Sequence, residues 1–360
     1  MKRLRASAVV AGLAAAAMVL TACGGSSSND TAGGSTSSAA GGSSAASGGL
    51  KVGLAYDIGG RGDKSFNDSA ALGLDKARKD LGISKQDAQE SEAQPNETDA
   101  DKEERLRTLA DAGAKAVIAV GFAYAGPLAK VAPDYPEVHF AIVDDDSKKA
   151  DNVTNIIFAA NQSSFLVGAA AALKTKSGTV GFIGGVQTPL IQEFQAGYAA
   201  GVEAAKPGTK VSVQYLTQPP DFTGFSDPAK GKTAAGGLLD QGADVIYQAA
   251  GGSGSGVFEA VAGKPGALAI GVDSDQYQSA APAVKDIILT SALKNVNVGV
   301  FNFLSSVKDG TVKAGTVEYD LKNGGVGYST ANPKIADLEP QLDALKAKII
   351  DGSIKVPTTP

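Results

Sequence analysis

Acidic, aromatic and glycine residues recur in this 360-residue sequence where short apolar runs stop. Asp57 follows the run that begins at Lys51, and the loop after it carries Asp63, Phe66 and Asn67. Asp144 follows 139–143, and Asp273 follows 268–272. Gly252 lies in the glycine-rich stretch after 243–248, and Lys294 comes shortly after 287–291. Carboxylates in such places can act as an acid and base pair, ligate a metal, cap a helix, or accept hydrogen bonds from a ligand's N–H and O–H groups. Asp63, just before Ser65-Phe66-Asn67, fits a helix cap as well as it fits a ligand contact. Asp273 suits a vicinal diol. Phe66 and Phe194, flanked by polar residues in opposite halves of the chain, are either core aromatics or two faces of a sandwich for a flat ring.

Several chemistries lack their parts. The stretch Gly251-Gly-Ser-Gly-Ser-Gly256 invites a nucleotide reading, but the G-x-G-x-x-G spacing fails at Val257, and no phosphate loop of the G-x-x-x-x-G-K-[ST] type is present. One His (His139, in an apolar run) and one Cys (Cys23) leave nucleophilic and zinc chemistry without its usual partners. The carboxylates follow different runs and have no calcium-loop spacing. The expectation is a binding protein with no cofactor, no metal and no catalytic residue.

The elements that must position these residues are strands and helices in alternation. Runs of four to eight mostly apolar residues at 51–56, 114–120, 139–143, 153–158, 179–183, 210–216, 243–248, 268–272 and 286–291 read as strands covered on both faces. Between them, apolar residues at spacings of three and four, as in Leu106, Leu109 and Ala110, or Leu338, Leu342 and Leu345, mark one helix face. Repeated strand then helix predicts α/β architecture with doubly wound parallel sheets, in which ligands bind beyond the carboxyl ends of the strands.

The ends of the chain bear on location. Lys2, Arg3 and Arg5 precede an apolar stretch from Ala8 to Leu20, which is shorter than the roughly 20 residues a membrane span requires. Leu20-Thr-Ala-Cys23 resembles the lipobox of bacterial lipoproteins. That predicts a signal peptide over 1–22, a lipidated Cys23 and a Gly/Ser/Ala leash to residue 49, holding the protein to the outer face of the cell membrane. Loss of 1–22 removes three cations and no acid, taking the formal charge from −5 to −8, which argues against nucleic acid as a partner. The remaining 310 or so residues are enough for two lobes.

Over nearly all of 50–360 the sequence resembles the basic membrane protein family of ABC-transporter lipoproteins, the purine nucleoside receptor A-like proteins. The stretches that carry the likeness are Asp63-Lys-Ser-Phe-Asn67, Asn161-Gln-Ser-Ser-Phe-Leu-Val-Gly168, Val180-Gly-Phe-Ile-Gly184, Phe194-Gln-Ala-Gly197, Phe225-Ser-Asp-Pro-Ala-Lys-Gly231, Ala250-Gly-Gly-Ser-Gly-Ser-Gly256 and Gly271-Val-Asp-Ser-Asp-Gln-Tyr277. The resemblance implies the type I periplasmic binding protein fold, two lobes joined by three crossovers. It places 50–160 and 295–315 in the first lobe, and 161–294 and 316–360 in the second. It implies a monomer that passes a purine nucleoside to an ABC permease. Phe66 and Phe194 would stack on the base, Asp57, Asp63, Asn67 and Asp144 would lie on its polar side, and Gly252, Asp273 and Lys294 would contact ribose. Arg61 and Gly62 depart from the family, which more often has acids there.

Overall fold

A computed structural model describes residues 49–94 and 96–360; the expected signal peptide, Cys23 and nearly all of the leash lie outside them. The first half of the chain runs β1 (Val52–Ala55), α1 (Phe66–Asp80), β2 (Ala88–Ser91), α2 (Asp99–Asp111), β3 (Ala116–Val120), α3 (Ala125–Val131), β4 (His139–Val143) and β5 (Val153–Phe158). The second runs α4 (Ala160–Lys174), β6 (Thr179–Val186), α5 (Pro189–Ala205), β7 (Lys210–Thr217), α6 (Pro228–Asp240), β8 (Val245–Ala249), α7 (Gly254–Ala262), β9 (Leu268–Asp273), the short α8 (Gln276–Ser279) and α9 (Pro282–Lys285), and β10 (Ile288–Lys294). The chain closes with α10 (Val296–Lys308), β11 (Gly315–Tyr319), β12 (Val326–Tyr328) and α11 (Glu339–Ile350).

Two six-stranded sheets result, ordered β11-β5-β4-β3-β1-β2 and β12-β10-β9-β8-β6-β7. All pairings are parallel except that of β12 with β10. The order is the same in both sheets, so β1, β4 and β5 correspond to β6, β9 and β10. The chain crosses between sheets after β5, after β10 and after β11, giving the two-lobed, three-crossover type I architecture.

Alternation along the strands explains why both faces are covered. Leu54, Ile118 and Val120 enter a core with α1 and α10, whereas Ala55, Val117 and Ala119 enter one with α2 and α3. Phe182, Val245 and Tyr247 likewise face one core of the second lobe, while Ile183 and Ile246 face the other. Because both alternating sets are apolar, each strand reads as an apolar run.

Three expectations need correction. The boundary between 315 and 316 falls inside β11, whose five residues all pair with β5, so 316–319 belong to the first sheet. The run at 286–291 becomes a strand at Ile288–Lys294, so Lys294 is the strand's last residue rather than part of a following loop. Strands β2, β11 and β12, two polar or short and one with an exposed face, have no counterpart in the expected runs.

Candidate functional site

The first strand ends short of Asp57, and the loop that follows is built around two side chains. Asn67 accepts a hydrogen bond from the Asp57 N–H through Oδ1 (3.0 Å), and its Nδ2 donates to the Ile58 carbonyl (3.3 Å) and to Asp63 Oδ2 (3.1 Å). Asp63 accepts from the backbone N–H groups of Ser65 (2.8 Å), Asn67 (2.8 Å) and Asp68 (3.1 Å). It therefore performs the capping that Ser65, whose own side chain makes no cap bond, does not supply to α1. Phe66 is the first residue of that helix, so the cap also fixes where its ring points.

Asp144 directly follows β4 and Asp273 ends β9, the corresponding strand of the other lobe, and both have left-handed backbone (φ 68° and 60°). Few non-glycine residues adopt this conformation, and Asp is among the most tolerant. Here it turns both carboxylates towards Lys294. The Lys294 ammonium donates to Asp144 Oδ2 and lies 4.0 Å from Asp273 Oδ1. It also lies 4.5 Å from the Phe66 ring centroid and 5.6 Å from that of Phe194, within the range of cation–π attraction. Burial pushes the carboxyls of both aspartates upward, with Lys294 pulling against it. Burial likewise raises Asp57 to about 6, and raises Asp63 to about 6 despite its three N–H donors.

Asp57, Asp63, Phe66, Asn67, Asp144, Phe194, Asp273 and Lys294 all line one cavity between the lobes. Gly252 is not among its lining residues; the neighbouring Gly251 is, and a Cβ on Gly252 would approach Phe225 O (3.5 Å) and Asp63 Cβ (3.8 Å). Phe194 is also part of the second-lobe core and is 2 % exposed, so the core and platform readings of this ring are not exclusive. Arg61 points elsewhere, pairing with Asp75 and Glu90 on the first-lobe surface.

The cavity's free volume is about 60 Å³. The Lys294 ammonium stands in the cavity beside the Phe66 and Phe194 rings, so placing a planar bicyclic ring between them requires Lys294 or the lobes to move. Past Phe122, Asp144 and Leu190 the cavity meets a larger space of about 600 Å³, bordered by Glu193 and Glu318. Burial and the nearby Asp144 charge push Glu193 to about 7.

The lining also includes Phe122, Leu190, Ile191 and Phe225, which the sequence reading did not select. Phe122 directly follows Gly121 at the end of β3, so the rule that found Asp57 and Asp144 applies to it as well. Phe225 has no such signal, because it reaches the cleft from the long loop after β7. Among the described residues no group of three His, Cys, Asp or Glu side chains is placed to hold a metal ion. No described helix is long and apolar enough to cross a membrane.

Two parallel-sheet lobes closing on a cleft of convergent polar and aromatic side chains define a solute-binding protein. A solute-binding protein of an Aeropyrum pernix ABC transporter has the same fold, with a TM-score of 0.72 and 30 % identity over 86 % of this chain and 94 % of that one. One from Conexibacter woesei gives 0.69 and 25 % over 86 % and 99 %. The chain belongs to the Bmp family, described as ABC transporter substrate-binding protein PnrA-like, whose family model matches residues 50–360. Among its relatives, the ABC transporter nucleoside-binding protein BmpA of Lactococcus lactis is 36 % identical over 86 % of this chain and 89 % of its own length. A Pyrococcus abyssi protein named as an uncharacterized lipoprotein is 35 % identical over 78 % of this chain and 69 % of its own. Membership makes this chain the substrate-binding component of an ABC transporter, with a small-molecule ligand and a permease partner.

Proposed function

We propose that the cleft takes a purine nucleoside, which the closed protein, anchored by lipid at Cys23 outside the cell membrane and monomeric, presents to its permease. The observation that carries this reading is that Phe66 and Phe194, from opposite lobes, both lie within 5.6 Å of one ammonium nitrogen. A ring that displaces this ammonium comes within reach of an aromatic side chain from each lobe. Stacking of a base on an aromatic side chain contributes about 1 to 3 kcal/mol. Asp273 and Lys294 present an acceptor and a donor to the ribose hydroxyls, and Gly251, rather than Gly252, lets the backbone approach them. Asp57 and Asp144 remain for the polar edge of the base. Asp63 and Asn67 act mainly by shaping the loop that carries Asp57 and Phe66. The name of the Lactococcus relative agrees with this reading.

A thermal-shift panel of nucleosides, free bases and sugars tests it. Ligand at about 100 times its dissociation constant stabilises by about 2.7 kcal/mol, and purine nucleosides are expected to raise the melting temperature while sugars and bases do not. Calorimetry should then show that Phe66→Ala, Phe194→Ala and Asp273→Ala each cost about 2 kcal/mol, roughly 30-fold in affinity. A response to sugars alone, or undiminished nucleoside binding in all three variants, rejects the assignment. Release of free base from inosine by the purified protein would point to an enzyme instead.

A further inference from the structure

Behind Asp57 a second chamber of about 100 Å³ shares Asp57, Ile58, Phe122 and Phe225 with the cleft, so the two cavities meet around one carboxylate. Its first-lobe wall includes Lys102, on the first turn of α2, and its far side is the loop at 220–223 of the second lobe. The start of α2 is fixed by a reciprocal cap: Thr98 accepts from the Asp101 N–H (3.3 Å) and its own N–H donates to Asp101 Oδ2 (2.6 Å).

Lys102 is 9 % exposed, yet its ammonium donates no hydrogen bond to any described residue. Its nearest acid is Glu97, at 3.6 Å, and that carboxylate is already held by both terminal nitrogens of the Arg105 guanidinium and by the Gln94 N–H (2.9 Å). The ammonium is thus balanced in charge by Glu97 but keeps donor capacity, and it borders a chamber that meets the ligand cleft. Asp57 offers the complement: Oδ1 accepts from the Ile58 N–H (2.8 Å), whereas Oδ2 accepts from no described residue.

We propose that Asp57 and Lys102 together read a lactam edge, an N–H beside a carbonyl oxygen, on the ring held in the cleft, with the carbonyl oxygen reaching Lys102 through the chamber. A carboxylate is acceptor-only and an ammonium donor-only. The pair thus matches the edge of a 6-oxopurine and mismatches the amino edge of a 6-aminopurine, which carries its donor and acceptor the other way round. This rests on the nucleoside reading and adds the substrate subclass to it.

Calorimetry of the full chain with inosine and adenosine, which differ in this edge, tests the proposal. Wild-type protein is expected to bind inosine about tenfold more tightly. Lys102→Met should shrink that preference by weakening inosine and easing the mismatch with adenosine, and Lys102→Gln, which keeps a donor, should retain more of it. An unchanged inosine-to-adenosine ratio in folded Lys102→Met, or a wild-type preference for adenosine, overturns the lactam assignment and leaves the nucleoside reading standing. A folded wild type that binds neither overturns both.

Discussion

Asp57 illustrates how a single residue can couple ligand binding and stability in opposite directions. Burial raises its carboxyl from the ordinary carboxylate range to about 6, so between about pH 4 and 6 the folded protein holds a proton there that the unfolded chain has released. Wherever the folded state binds more protons, stability falls as pH rises. The cost is absent below the unfolded value and fully present above pH 6. Asp57→Asn removes that cost, so the melting temperature of the variant relative to wild type should improve from pH 4 to pH 7; a constant difference would contradict the raised carboxyl. Nucleoside affinity should follow the opposite course in wild type, strengthening as the pH rises through 6 and the acceptor becomes charged.

At the scale of elements, Phe194 owes its position to the contact of α5 with α4. Three glycines allow the two backbones to touch. A Cβ on Gly168 would lie 2.2 Å from the Tyr198 carbonyl oxygen, one on Gly197 2.1 Å from that of Asn161, and one on Gly201 1.9 Å from that of Phe165. No side-chain rotation relieves a clash with backbone, so the helices must separate. Gly201→Ala should therefore destabilise by about 3 kcal/mol, at the upper end of overpacking costs, as read by urea unfolding. It should also weaken ligand binding although Gly201 itself does not line the cleft. An alanine variant with unaltered stability would show that the pair tolerates wider spacing.

For the molecule as a whole, the balance between open and closed lobes is set by contacts that bridge them. Ser65 Oγ donates to Asp273 Oδ2 (2.6 Å), Ser274 Oγ donates to the Ser65 carbonyl (2.9 Å), Gln276 Nε2 donates to the Lys64 carbonyl (3.0 Å), and Lys294 donates to Asp144. All four join the rim of the first lobe to the ends of β9 and β10, the turn after β9 or the start of α8, so they form together as the lobes close. Removing one neutral hydrogen bond costs about 1 kcal/mol. Ser274→Ala is thus expected to shift the population towards open forms, lowering ligand affinity up to about fivefold and raising the radius of gyration of the ligand-free protein in X-ray scattering. No change in either would mean that these bonds follow closure without biasing it.

Much of this was legible along the chain. Strands buried on both faces declare themselves as apolar runs, and in parallel sheets the residues that follow them gather at one edge; Asp57, Asp144, Asp273 and the two phenylalanines could be selected on that basis. The edge strands β2, β11 and β12 could not, because pairing with a neighbour rather than an apolar pattern of their own holds them in place. Periodicity tells which face of an element is buried, but not what it is buried against. That Lys294 would stand among two aspartates and three aromatic rings, that Ser65 would bond a residue 208 positions away, and that Lys102 would share a chamber with Asp57 were decided when three crossovers brought two separately wound sheets face to face.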